Sequence, residues 1–183
     1  MTRKVLHLLL GGLFATQSYG HRLDEYLQAI VVAIEPSAVR VQLTITPGIA
    51  VADAAIAQID GNKDGVVSEK EASDYAETVK TSLGVRWDGG ERELDLKLVR
   101  CKVPSPADLR TGAGNIEMDF DLVIEARSLT AGDHKLALEN RHLGGLSVYL
   151  LNAAMPESRA IVIKRQLRNE NQRTGEIEFT VDE

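Results

Sequence analysis

A mainly β chain, an antiparallel β-sandwich or open barrel carrying one inserted helix-loop-helix, is the fold class this sequence predicts. Three observations predict it. Apolar residues alternate with polar ones at period two through most of the chain, as in Val39, Val41, Leu43, Ile45 and in Ile116, Met118, Phe120, Leu122, Ile124; that period puts one side-chain set inward and the other outward. Short clusters of Gly, Pro, Asn and Asp punctuate these runs at the spacing of a sandwich or barrel. Between residues 51 and 83 the alternation stops, and Ala52, Ile56, Ile59 and then Ala72, Tyr75, Ala76, Val79, Leu83 recur at helical spacing.

In chain order, residues 1–20 read as a secretory signal peptide. Arg3 and Lys4 open it, an apolar run over 5–15 follows, and Ser18 and Gly20 are small residues at the positions a signal peptidase reads. The run is shorter than the roughly 20 residues a spanning helix needs. The expectation is therefore a secreted or periplasmic protein starting at His21, with no transmembrane segment, and residues 21–183 forming a single β-rich domain with its insertion at about 50–83. A strand at 27–34 is stopped by Glu35-Pro36-Ser37, and the Val39 series forms the next. After the insertion, 84–88 reads as a strand closed by Asp88-Gly89-Gly90. Leu94, Leu96 and Leu98 share one parity but Val99, Cys101 and Val103 the other, which predicts a β-bulge near Leu98 and an inward-facing, inert Cys101. Pro104-Ser105-Pro106 reads as a break before the Ile116 series. Further strands are expected at 134–139, 146–151, 160–167 and 176–181, with Trp87 and Tyr149 in core or rim packing and His134 and His142 at loop edges.

Composition bounds the function. The 183 residues hold 21 Lys plus Arg against 27 Asp plus Glu, for a net charge of −6, which repels phosphate backbones and argues against a nucleic-acid partner. The basic residues Arg159, Lys164, Arg165, Arg168 and Arg173 read as a solvated strand face. Aromatics are 4% of the chain, so the core is aliphatic. One cysteine makes no internal disulfide, and no Cys/His cluster holds structural zinc. No G-x-S-x-G, phosphate-cradling glycine loop or H-E-x-x-H occurs, so no residue is assigned a catalytic role and the chain reads as a non-enzyme.

The chemistry lies between the two helical runs. Residues 60–71 read Asp-Gly-Asn-Lys-Asp-Gly-Val-Val-Ser-Glu-Lys-Glu, which meets D-x-[DN]-x-[DN]-G-x5-E at every specified position. Calcium takes six to eight oxygens at about 2.3–2.6 Å, and a twelve-residue loop wraps it with ligands at alternating positions. Ser68 and Glu71 also spell a capping box, so the second helix starts inside the loop in register with the last ligand. The segment resembles an EF-hand. The resemblance implies a calcium ion held by single side-chain oxygens of Asp60, Asn62 and Asp64, the carbonyl of Val66, Ser68 directly or through water, and both carboxylate oxygens of Glu71. Gly65 takes the sharp turn, and Val67 points away from the ion into packing. Three charged ligands place the dissociation constant at roughly 10⁻⁶ to 10⁻³ M. EF-hands usually pair, and no second such loop occurs in the sequence. The ion is therefore expected to play a mainly structural role, bracing an interaction module for a protein partner or membrane transporter.

A wider likeness covers His21 to about Asp88. A start of His-x-Leu, two strands, a short helix, Ile59-Asp60-x-x-x-Asp64-Gly65, Tyr75-Ala76, Leu83-Gly84-Val85 and Asp88-Gly89 is similar to the extracytoplasmic region preceding the membrane part of nickel/cobalt transporter-like proteins. It implies, as an alternative, a transition-metal (nickel, cobalt or copper) binding or transporter-accessory protein. His21, with its imidazole and freed α-amino group side by side, would be the ligand.

Overall fold

The computed structural model describes residues 23–90, 93–124 and 129–182; the expected signal peptide and His21 lie outside them. The period-two runs form strands. β1 (Tyr26–Glu35) turns at Pro36-Ser37 into β2 (Ala38–Pro47), and the two pair antiparallel along their whole length. The insertion supplies α1 (Ala52–Ile59) and α2 (Glu69–Lys80). Then follow β3 (Leu83–Trp87), β4 (Leu96–Lys102), α3 (Pro106–Thr111), β5 (Ile116–Leu122), β6 (Gly132–Asn140), β7 (Ser147–Ala153), β8 (Ile161–Arg168) and β9 (Thr174–Val181). They build two sheets, ordered β4-β5-β2-β1-β7 and β3-β6-β9-β8. The architecture is a β-sandwich, and the sheets do not close into a barrel.

Alternation decides the core. Ile30, Val32, Ile34, Val41, Leu43, Ile45, Ile116, Met118 and Phe120 face inward from the first sheet, and Val85, Leu136, Leu138, Ile177 and Phe179 from the second. Ala55, Ile56 and Ile59 of α1 and Tyr75, Ala76 and Val79 of α2 join the same apolar cluster. The insertion therefore shares the sandwich core, and α2 packs against β4.

The structure departs from the sequence reading in four places. β7 runs parallel to β1, with Leu27 beside Val148 and Ala29 beside Leu150; alternation carries no information about the direction of a partner strand. The free edge of β7 is closed by side chains: Gln166 Oε1 accepts the Ala153 N–H at 3.0 Å and Arg168 Nε donates to the Leu151 carbonyl. The bulge lies between Leu98 and Arg100 as expected, but Val99 occupies it and is 53% exposed, so only Cys101 and Val103 of that parity pack toward the core. Cys101 is half-buried, and burial pushes its thiol up to about 11. The stretch read as a plain break starts α3: Ser105 Oγ accepts the Asp108 N–H at 3.1 Å, Pro106 opens the helix and Gly112 ends it at φ 71°. His142 lies in the connection just past β6, as expected, but His134 is not at a loop edge. His134 sits within β6, with Nδ1 2.8 Å from Asp88 Oδ2 and Nε2 2.8 Å from the Thr130 carbonyl. Burial opposes its charge, but these two acceptors prevail and raise its pKa.

Gly48 joins β2 to the insertion under a close approach. Its N–H donates to the Glu25 carbonyl at 2.8 Å, and a Cβ there would collide with the Leu23 backbone carbonyl. Gly48→Ala is expected to destabilise the fold by roughly 1–3 kcal/mol, as overpacking against backbone does. Urea unfolding checks it; an unchanged midpoint contradicts it.

Candidate metal centre

The loop begins where α1 runs out of helix. Asp60 caps the C-terminus of α1, its N–H still donating to the Ile56 carbonyl at 2.8 Å, so its carboxylate starts the turn from inside the fold. The loop ends where α2 starts, and both arms of the expected capping box are present. The Glu71 N–H donates to Ser68 Oγ at 3.2 Å, and the Ser68 N–H donates to Glu71 Oε2 at 3.0 Å. This fixes the register of α2 so that Glu71 lies in its first turn, where the helix dipole favours an anion.

Between those ends, loop amides turn toward ligand side chains. The Gly65 N–H donates to Asp60 Oδ2 at 2.9 Å, the Asp64 N–H to Asn62 Oδ1 at 2.9 Å, the Val66 N–H to Asp64 Oδ1 at 2.8 Å, and the Asn62 N–H to Glu71 Oε1 at 3.2 Å. The chain coils by adopting φ 83° at Gly65 and φ 60° at Lys63. The glycine was legible in the sequence; the left-handed lysine, at a cost of about 1–2 kcal/mol, was not. Val67 is partly buried against the core, as its expected orientation requires, whereas Val66 is 65% exposed and leaves its loop position open to solvent.

Asp60 accepts from the Gly65 N–H, and Asn62, Asp64, Ser68 and Glu71 are joined in one hydrogen-bonded chain in which Ser68 donates to Glu71 through its N–H and hydroxyl. Val66 enters this chain through its N–H. Hydrogen bonds from Ser68, led by its backbone N–H, and from the Asn62 amide hold the Glu71 carboxyl below the usual range, so it is an anion at neutral pH. No three His, Cys, Asp or Glu side chains converge to metal-binding distance among the described residues, because the carboxylates of the loop turn to its amides.

The fit to a hard cation is tested by Asp60. It is 4% exposed in a loop whose other residues are exposed or only partly buried, and its Oδ1 is buried without a hydrogen-bond partner. A buried carboxylate oxygen lacking a donor costs more than about 1–3 kcal/mol. A cation removes that cost. The donor set is all oxygen and carries three negative charges, which suits Ca²⁺ rather than a thiophilic or imidazole-seeking metal.

Sequence reasoning treated Tyr75 only as a core position and missed what it touches. Its hydroxyl lies 3.2 Å from His142 Nε2. His142 is 7% exposed in the connection from β6 to β7, and burial lowers its pKa to about 4, so it is neutral. Nothing periodic marks a histidine in an irregular segment, and no sequence signal would have found it.

A cleft of about 690 Å³ lies elsewhere, lined in part by Asp88, Asp133, His134 and Lys164. Its carboxylates are engaged: Asp88 accepts from His134 and from the Lys135 N–H, and Asp133 from Thr180 Oγ1. Comparison of the chain with protein-family models, with curated proteins and with solved structures gives no match in any of the three.

Proposed function

We propose that this chain is an exported, secreted or periplasmic, calcium-binding protein in which one EF-hand ion braces a β-sandwich interaction module. Asp60, Asn62, Asp64, the Val66 carbonyl, Ser68 and Glu71 would hold it. The observation that carries the reading is the buried, partnerless Oδ1 of Asp60 at the first position of a loop whose other acceptors are already organised. The ion supplies positive charge to this acidic loop and, by joining the end of α1 to the start of α2, ties both helices to the core they share.

A structural ion binds the native state and not the unfolded chain, so it stabilises by RT ln(1 + [Ca²⁺]/Kd), about 2.7 kcal/mol at a hundredfold excess over Kd. For a domain of this size that raises the melting temperature by roughly 5–10 °C. Differential scanning calorimetry with calcium and with EGTA measures it. Binding without any rise in melting temperature refutes the bracing role, and absence of binding refutes the calcium reading itself.

A further inference from the structure

Among the described residues, four polar side chains are buried: Gln28, Asp60, Asn140 and His142. Asp60 belongs to the loop, and the other three form a single network at the seam between the sheets. Asn140, ending β6, donates to Gln28 Oε1 on β1 at 2.9 Å and accepts the His142 N–H at 3.0 Å. Gln28 Nε2 donates to the His142 carbonyl at 3.0 Å and to Ser147 Oγ on β7 at 2.7 Å, and Tyr149 Oη donates to the same carbonyl at 2.7 Å. His142 is thus fixed through its own backbone by residues of both sheets, and its ring extends from the seam to α2. There Tyr75 meets it at 3.2 Å, the rings edge to face with centroids 6.0 Å apart.

Tyr75 lies one helical turn beyond Glu71 on α2. A helix moves as a rigid rod over one turn, so Glu71 cannot shift along or around the axis without carrying the Tyr75 hydroxyl with it. The other side of the loop is tethered in the same style, less tightly: Tyr26 on β1 donates to the Val51 carbonyl at the start of α1 at 3.4 Å.

Resting on the calcium reading above, we infer that the Tyr75–His142 contact couples the loop to the inter-sheet seam, with Tyr75 as the positioning residue that holds Glu71 where an ion is gripped. Coupling of this kind is reciprocal: the seam strengthens ion binding, and a bound ion orders the seam. Buried polar networks suit the task because each member is fully satisfied in only one arrangement.

The test titrates CaCl₂ into the wild-type chain, Tyr75→Phe and His142→Gln by calorimetry, and follows the His142 imidazole signals by NMR in the wild type. Tyr75→Phe is expected to bind calcium roughly three- to tenfold more weakly. His142→Gln, whose amide oxygen still offers Tyr75 an acceptor, is expected to stay within about twofold of wild type. The His142 signals are expected to shift in step with loop saturation, a response that general destabilisation does not produce. If calcium saturates the loop while the His142 signals stay fixed, the coupling is overturned, and that wild-type experiment decides even if a variant fails to fold. Wild-type affinity in Tyr75→Phe overturns it equally. Absence of calcium uptake by the wild type overturns the calcium reading, and the coupling falls with it.

Discussion

Glutamine in place of Glu71 is expected to lower calcium affinity about a hundredfold, or close to 3 kcal/mol, while leaving the fold intact. The reasoning separates the two jobs of this side chain. As a cap, Glu71 accepts the Ser68 N–H at 3.0 Å and the Asn62 N–H at 3.2 Å. An amide oxygen still accepts one of those bonds, so α2 keeps its start and its circular dichroism should not change. As the proposed ligand, Glu71 would bring one of the three charges and both oxygens of a bidentate grip; an amide offers one neutral oxygen. Calorimetry on the folded variant reads the difference. Unchanged affinity would remove Glu71 from the proposed site and, with it, the register on which the EF-hand proposal rests. Lys70→Ala is the matched control, because that side chain pairs with Asp74 at 2.5 Å on the exposed face of α2.

The second large effect is acid lability centred on His142. Burial lowers its native pKa from 6.5 to about 4, so between those values the unfolded chain binds a proton that the native state does not. Stability from this residue is complete above pH 6.5, declines as pH falls, and is fully lost once pH passes about 4. The loss amounts to roughly 3 kcal/mol at most. His134 has the opposite sign. Its native pKa is raised, so its contribution is complete below the unfolded value and declines as pH rises through the native one. Urea unfolding at a series of pH values, for wild type and His142→Gln, isolates the first effect. The variant should show a shallower fall between pH 6.5 and 4. Parallel curves would mean that His142 is not held neutral.

What the sequence disclosed follows from which interactions are local. Strand positions could be read because solvent on one face and core on the other impose period two on residues adjacent in the chain, as in Ile116 through Leu122. The bulge at Leu98 was visible as a change of parity, although which residue it expelled was settled by packing, and it expelled Val99. The loop was the most legible part, since each acceptor and its N–H donor fall within about a dozen positions, and Ser68 and Glu71 appear in their expected capping arrangement. Distant partnerships were hidden. The parallel pairing of β1 with β7 joins segments more than a hundred residues apart, as does the bond from Gln28 to His142 at a separation of 114. α3 was a local feature overlooked: Ser105, Pro106 and Asp108 spell a helix start, but two prolines in three residues hid it behind a break.

A crystal grown with excess CaCl₂ is the most direct measurement. Anomalous scattering should locate one calcium ion within residues 60–71, with Asp60 Oδ1, the oxygen lacking any partner, among its ligands at about 2.3–2.6 Å. No ion there, or an ion elsewhere with Asp60 Oδ1 left uncoordinated, would contradict the account.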